Sequence, residues 1–158
     1  MRAAQAGDPR AMDALLTELA PWVGRLCSAI ALDSGEDAMQ ETLIVVLRNL
    51  PTLREAAALR AWVRRIAVRQ ALRFATDTRA VAMAEVPEIP VAVDLDSAVD
   101  VRATLARLSP SQRAVLLLRH MEDLSERETA EVLGVPEGTV KSGLHRARES
   151  FREQWGEG

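Results

Sequence analysis

The most chemically suggestive residues of the sequence lie in a basic segment near its C-terminal end. Residues 138–152 carry four cations and one acid, whereas residues 122–137 carry one arginine and six acids. A helix that presents cations along its outer face suits the major groove of DNA and its phosphates. The pattern predicts a DNA-binding face made of Lys141, Ser142, His145, Arg146 and Arg148, with Arg152 beside it. The alternative is an amphipathic helix whose charged face is merely solvated.

A second helix should precede this segment and be joined to it by a tight turn. Ser125 and Glu128 form a capping-box pattern at its start, as Ser109 and Gln112 do for an earlier helix. Gly134 stands where a helix should end, and a proline follows where the next could begin. The sequence therefore predicts a helix-turn-helix in which an apolar stripe of the last helix packs on the preceding one; the stripe is Val140, Leu144, Ala147 and Phe151, and its partners are Ala130 and Leu133.

A run of arginines marks another possible nucleic-acid contact in the first half of the chain. The helical pattern over 57–74 holds five arginines with no acid between them, at positions 60, 64, 65, 69 and 73. Trp62 projects near the side of Arg65 and Arg69, so the group could combine phosphate contacts with base stacking. The alternative is that Trp62 belongs to the core and the arginines are solvated. We expect Trp62 to be partly buried and the arginines to face DNA.

The segment from about Glu36 to Leu50 predicts a helix with two unlike faces. The predicted core stripe is Met39, Leu43, Val46, Leu47 and Leu50. The opposite face holds Asp37, Gln40, Glu41 and Arg48 around one apolar residue, Ile44. Such a face can be a docking surface for another protein. Equally, an isolated isoleucine on a protein surface is common and needs no function.

The helical patterns fall into two blocks separated by an acidic segment. Helices are predicted over 11–32, 36–50 and 57–74, with Pro21 bending or interrupting the first. Residues 76–96 contain two prolines, many acids and no helical stripe; this favours a flexible or extended linker, the alternative being a short strand around Val91–Val93. We therefore predict an all-α protein with two small helical domains, residues 1–75 and 101–158, and an acidic linker over 76–100.

The formal net charge of −3 does not exclude DNA binding, because the acids are unevenly distributed. Residues 1–75 sum to +2, residues 76–100 to −5 and residues 101–158 to zero. The excess of acid therefore lies in the predicted linker, and local basic faces remain available to an anion.

Composition also limits the chemistry. One cysteine, Cys27, allows neither an intramolecular disulfide nor a zinc cluster. His120 and His145 fall in different predicted helices with no matched cysteine or carboxylate cluster, so we predict no catalytic centre, metal or cofactor. The N-terminal residues lack an apolar signal core, and we expect no apolar run long enough to span a bilayer. These features favour a cytoplasmic protein that is not an enzyme and does not insert into membranes.

Four stretches together resemble the bacterial extracytoplasmic-function sigma factors, the small two-domain class of the sigma-70 family. They are AGDPRAM (6–12), EDAMQETLIVVL (36–47), LRAWVRRIAVRQAL (59–72) and LSPSQRAVLLLRHMEDLSERETAEVLGVPEGTVKSGLHRARE (108–149). The last stretch is shared in outline with other helix-turn-helix regulators, whereas the combination and its order are far more specific. Together the stretches cover most of the chain outside the predicted linker.

The resemblance implies a role and assigns residues to it. Proteins of this family bind RNA polymerase core and direct it to promoters, with region 2 melting the −10 element and region 4 reading the −35 element. Asp37, Gln40, Glu41 and Ile44 would then face polymerase. Trp62, Arg65, Arg69 and Gln70 would lie near the −10 strand, and the basic face of residues 141–148 would meet the −35 duplex. An anti-sigma factor is a further possible partner.

Some positions depart from the family pattern. Arg69 stands where the family often has asparagine, Gly143 stands where arginine is usual, and leucines at 43 and 47 replace commoner aromatics. These departures keep two other interpretations open. One is a sigma-like protein that binds polymerase or an anti-sigma factor without initiating transcription, and the other is a stand-alone helix-turn-helix regulator.

Overall fold

The computed structural model describes residues 1–82 and 97–156, and within them the chain is helical without a strand, which confirms the all-α prediction. The helices are α1 (Arg2–Gln5), α2 (Pro9–Ala31), α3 (Gly35–Asn49), α4 (Leu59–Ala82), α5 (Ser97–Arg107), α6 (Pro110–His120), α7 (Glu126–Leu133) and α8 (Glu137–Gly156). Short 3₁₀ turns occupy Leu32–Ser34, Leu50–Thr52 and Ala56–Ala58.

The chain divides into two compact units, Met1–Phe74 and Ala75–Gly158. Helix α4 continues to Ala82, so the segment predicted as a linker begins as helix, since its alanine-rich start contains no proline to stop it. At the other end, α5 begins at Ser97, inside the predicted linker. The predicted strand around Val91–Val93 lies outside the described residues.

The first unit has a core in which α2, α3 and α4 meet around Cys27. Its sulfur lies 3.9 Å from the hydroxyl of Thr42 on α3 and 3.9 Å from the carbonyl oxygen of Ala67 on α4. The fully buried apolar side chains around it come from all three helices and include Val23, Leu26, Ile30, Val46, Val63 and Val68. Burial of this apolar surface is the main stabilising contribution.

One detail of this unit differs from the predictions, and a second prediction is narrowed. The sequence predicts that Pro21 bends or interrupts α2; the helix runs unbroken through it, so interruption is excluded and bending stays a prediction. Leu47 is not a core residue, since it is 45% exposed. The buried stripe of α3 is instead Ala38, Thr42 and Val46, and Leu50 is buried in the 3₁₀ turn that follows.

Burial gives Cys27 an unreactive thiol. Removal from solvent raises the pKa of Cys27 from 9.0 to about 11, and a hydrogen bond with Thr42 opposes part of this increase. Because the folded pKa is above the unfolded one, the contribution of this group to stability is fully present below pH 9 and is lost as the pH rises through 11. We expect no labelling of native protein by a thiol-specific disulfide reagent at pH 8, and rapid labelling in urea. Fast labelling without denaturant would contradict this burial.

The second unit is built from local helix signals and a small core. Both predicted capping boxes are present, at Ser109 with Gln112 and at Ser125 with Glu128. Gly134 ends α7 in the left-handed conformation with φ of 67°, as a helix-ending glycine should. The apolar stripe of α8 packs against α6 and α7, with Val140, Leu144 and Ala147 buried and Phe151 half-buried.

Two buried threonines differ in whether the side-chain hydroxyl makes a hydrogen bond. Both are fully buried, but the Thr42 hydroxyl donates to Ala38 O at 2.7 Å, whereas the Thr129 hydroxyl has no partner within the described residues. Replacing an unpaired buried hydroxyl by a methyl group should stabilise a protein. We expect Thr129→Val to raise the free energy of unfolding by about 1 kcal/mol, and Thr42→Val to leave it unchanged or lower it. Urea unfolding monitored by circular dichroism would measure both, and destabilisation by Thr129→Val would contradict the assignment.

One helical stretch of the first unit is long and apolar enough to cross a membrane by length and composition. It spans Pro9–Thr52, and its most apolar window has a mean hydropathy of 1.3. The expectation that no such run exists is therefore wrong. Core helices of soluble proteins pass the same test, and 39% of the window is buried within the fold.

Candidate nucleic-acid and protein interfaces

The five residues predicted to contact DNA through the C-terminal unit all lie on α8 and are exposed. The opposite side of the helix is anchored by its buried stripe, so these side chains are held outward. Local contacts are few: Ser142 Oγ donates to Thr139 O at 3.2 Å, and Arg146 Nε donates weakly to Ser142 O at 3.4 Å. Within the described part of the chain, neither Lys141 nor Arg146 is ion-paired with a carboxylate. We call residues 141, 142, 145 and 146 the α8 face.

A glutamate lies next to the histidine of the α8 face. The Nε2 atom of His145 lies 3.4 Å from Oε1 of Glu149 one turn later. The two side chains are 74% and 55% exposed, so the pair contributes little to stability. Glu149 adds a carboxylate acceptor beside the cations, a group suited to base amino groups rather than phosphates.

Arg148 lies at the margin of this face rather than at its centre. Its Nη2 atom is 3.5 Å from Nε2 of His120, at the end of α6. The side chain therefore points toward α6, although it remains exposed. It can reach an anion on the flank of α8, beside Lys141 one heptad earlier.

Arg119, a half-buried cation of α6, is not among the residues predicted from the sequence. Arg119 follows Val115 by one turn, and a Cβ atom added to Gly143 would lie 3.9 Å from a methyl group of Val115. Arg119 is therefore on the stripe of α6 that runs alongside Gly143. Its Nε atom is buried without a hydrogen-bond partner among the described residues. A cation on a neighbouring helix gives no periodic signal of its own, so the sequence alone offered no way to find it.

On α4, the structure brings Trp62, Arg65 and Arg69 onto one face. Both arginines are exposed, and Trp62 is half-buried, as predicted. Gln70 sits at the edge of this face, with its Oε1 atom buried and unpartnered within the described residues. We call Trp62, Arg65, Arg69 and Gln70 the α4 face. It offers two cations, an aromatic ring and an amide on one helix surface.

The remaining arginines of α4 have other neighbours. The Cζ atom of Arg60 lies 4.4 Å from the ring centroid of Trp22, and that of Arg64 lies 5.8 Å from it. Arg73 stacks at 5.0 Å on Phe74. Cation–π contacts of this kind stabilise the fold. Arg60 and Arg64 therefore pack over Trp22, and the expectation that all five arginines face DNA stays a prediction.

The polar face predicted for α3 is present, and it exposes two apolar side chains rather than the one expected. Asp37, Gln40 and Ile44 are exposed, and Glu41 is half-exposed. Ile44 is 38% exposed, and Leu47, one turn later, is 45% exposed. The isoleucine is therefore not isolated, which favours a docking surface over an incidental surface residue. We call these residues, 37, 40, 41, 44 and 47, the α3 face.

No group of histidine, cysteine and acidic side chains that could hold a metal occurs within the ranges 1–82 and 97–156. The three faces are thus built from cations, amides, carboxylates and apolar side chains, which suits binding to macromolecules. Their composition differs: the α8 and α4 faces are cationic, and the α3 face is acidic and apolar.

Two family models match the chain along most of its length. The model for sigma-70 region 2 matches residues 15–81, which include the α3 and α4 faces. The model for sigma-70 region 4 matches residues 98–151, which include the helix-turn-helix.

Curated relatives match both halves together. The chain is 34% identical over 149 residues to the ECF RNA polymerase sigma factor SigM of Mycobacterium tuberculosis, covering 90% of this chain and 76% of that protein. It is 33% identical over 129 residues to the RNA polymerase sigma-E factor of Streptomyces coelicolor, covering 76% of this chain and 71% of that protein.

Solved structures share the fold. A Bartonella quintana structure of the sigma factor RpoE with the anti-sigma factor NepR matches with a TM-score of 0.69 and 22% identity. That match covers 92% of this chain and 96% of the other. A structure of CnrH in complex with the cytosolic domain of CnrY matches with a TM-score of 0.66 and 22% identity. That match covers 96% of this chain and 92% of the other.

Proposed function

Because this chain belongs to the extracytoplasmic-function class of sigma-70 factors and so directs RNA polymerase core to promoters, we propose that it does so through three separate surfaces of its own. The surfaces are the α8 face, the α4 face and the α3 face. One observation supports this division: the three faces lie on three different helices, and the α3 face is acidic and apolar whereas the other two are cationic.

The α8 face is proposed to bind the −35 duplex. Lys141 and Arg146 would contact phosphates, and Ser142 and His145 would reach base edges in the major groove. Arg148 would contact the backbone at the margin, and Arg119 would supply a cation from α6 next to the position where Gly143 lacks a side chain. Lys141 and Arg146 support this role, because both are exposed and neither is ion-paired with a carboxylate within the described residues.

The α4 face is proposed to hold the −10 strand. Arg65 and Arg69 would contact its phosphates, Trp62 would offer a ring for stacking, and Gln70 would lie at the edge of this contact. Arg60 and Arg64 would act indirectly by packing on Trp22 and fixing the start of α4.

The α3 face is proposed to bind RNA polymerase core. Ile44 and Leu47 would supply the apolar centre of the contact, and Asp37, Gln40 and Glu41 its polar rim. Binding to polymerase places both DNA-binding faces at high effective concentration over one promoter. This explains how a chain of net charge −3 can act on DNA, since each cationic face is local.

The remaining proposals concern context. The chain would work in the cytoplasm, where RNA polymerase and promoters are, and would have no catalytic centre of its own. The acidic linker over 76–100 would run toward the active channel of polymerase. An anti-sigma factor would bind this chain as NepR binds RpoE in the Bartonella quintana complex.

The α3 assignment is tested by making its apolar centre polar. We expect Ile44→Ser with Leu47→Ser to weaken binding to core polymerase by about 30-fold or more, since buried apolar anchors carry much of an interface's free energy. Both side chains are partly exposed, so the thermal midpoint should change little. A pull-down titration with purified core polymerase would measure the affinity. Unchanged affinity would refute the assignment of the α3 face.

A further inference from the structure

The second unit contains a groove that the three proposed faces do not use. It lies between α5, α6 and α8 and has a volume of about 410 Å³. This falls within the range of about 300–1,000 Å³ found for small-molecule sites. All its lining residues belong to the second unit.

The floor of the groove is apolar and accessible. It is formed by side chains from three elements, among them Val101 and Leu105 of α5, Met121 after α6 and Phe151 of α8. Val101 is 39% exposed and Met121 is 54% exposed. Phe151 is stiffened by Trp155, whose ring stacks on it at 5.7 Å between centroids. The floor therefore offers preformed apolar surface to a ligand.

The rim of the groove is cationic. Arg148 and Arg152 lie one turn apart on α8, and His120 stands opposite them on α6. No acidic residue lines the groove, and in the described ranges neither arginine is ion-paired with a carboxylate. The weak contact of 3.5 Å between Arg148 and His120 uses only one of the five N–H donors of the guanidinium. The rim therefore presents two guanidinium groups that no acidic side chain of the groove neutralises.

From the apolar floor and the unpaired arginines, we propose that this groove binds a single-chain amphiphilic anion of the medium-chain fatty-acid type. The chain would lie on Val101, Leu105, Met121 and Phe151. The carboxylate would accept hydrogen bonds from Arg148 and Arg152, which are charge-assisted and directional. The ligand class follows from the two halves of the site, since a neutral lipid would leave the arginines unpaired and a small inorganic anion would leave the floor empty.

Occupancy should oppose DNA binding, a consequence that rests on the proposed function of α8. Arg148 would pair either with the ligand carboxylate or with a phosphate at the margin of the −35 duplex. Because coupling between two sites is reciprocal, the ligand weakens duplex binding by the same factor by which the duplex weakens ligand binding.

The site is tested by calorimetric titration of the full chain without DNA, using decanoate below its micelle concentration. Decanol and decyltrimethylammonium serve as neutral and cationic probes of the same length. We expect saturable binding of decanoate, with decanol at least about tenfold weaker because it lacks the charge-assisted contacts, and no binding of the cation. Failure of decanoate to bind, as expected if the groove serves only a protein helix, overturns the proposal, and so does equal binding of all three probes.

Two variants of α5 locate the site. Val101→Glu puts a carboxylate on the exposed part of the floor and should weaken decanoate binding about tenfold or more. Ala103→Glu makes the same charge change at an exposed position outside the groove and should leave binding unchanged. Equal effects of the two variants would overturn the placement. A circular dichroism melt checks that both fold.

The coupling is measured separately with a −35 duplex. Saturating decanoate should weaken duplex binding by about fivefold. Unchanged duplex affinity with decanoate bound overturns the coupling. Loss of duplex binding in the absence of ligand would count against the proposed role of α8 and not against the site.

Discussion

Replacing Lys141 and Arg146 together with alanine is expected to weaken binding of the polymerase holoenzyme to a promoter's −35 element by about 100-fold, since each lost phosphate or base contact costs about tenfold. Both side chains are exposed on α8, and neither is paired with a carboxylate within the described residues. Their loss removes two cations from the α8 face without disturbing the buried stripe on the other side of the helix.

The salt dependence identifies the nature of the loss. If both residues neutralise phosphates, the slope of log affinity against log salt should fall in magnitude by about 2. Arg10→Ala with Arg25→Ala is the matched control, because it makes the same charge change at exposed positions on α2 of the first unit. Filter binding over a salt series would measure both. An unchanged slope in the α8 variant, or an equal change in the control, would refute the placement of the DNA-binding face.

Gly35→Ala is expected to destabilise the first unit by about 3 kcal/mol or more, through overpacking that the backbone must absorb. A Cβ atom at position 35 would lie 2.4 Å from the Cα atom of Ser28 and 2.8 Å from its backbone nitrogen. The φ of Gly35 is −64°, an ordinary helical value. Space, and not backbone conformation, therefore requires glycine where α3 begins against α2.

Gly143→Ala is expected to have the opposite effect on stability. A Cβ atom there would lie 3.9 Å from Val115, an ordinary contact, and glycine inside a helix costs about 1 kcal/mol relative to alanine. We expect this variant to be more stable by about that amount. Hydrogen exchange of peptides from each unit would measure the stability of the two units separately. The rate of Cys27 labelling would report on the first unit as well. A stable Gly35→Ala protein would contradict the close approach of α2 and α3.

Where the sequence carried local signals, it predicted the structure well. The capping boxes at Ser109 and Ser125 and the left-handed Gly134 follow from contacts within a few residues, so their types and spacing determine them. The exposed cations of α8 follow from the same kind of pattern, because the buried stripe of one helix fixes its outer face.

Tertiary contacts account for what the sequence could not predict. Leu47 is exposed, whereas Thr42 is buried. The Thr42 side chain can be buried because its hydroxyl donates a hydrogen bond to Ala38 O within the helix, which offsets the cost of burying a polar group. Arg60 and Arg64 lie over Trp22, which is distant in sequence, so the sequence could not predict this contact. Val115 faces Gly143 through the packing of α6 on α8, which no periodicity within α6 reveals.

In our proposal, two helical units present separate cationic faces to one promoter while the α3 face binds polymerase. Transcription by core polymerase and the purified chain on genomic fragments, followed by mapping of the start sites, is the decisive experiment. We predict discrete starts that require the chain, that disappear with the α8 variant at moderate salt, and that disappear with the Ile44 and Leu47 variant through loss of core binding. Tight core binding without any chain-dependent start would contradict the account.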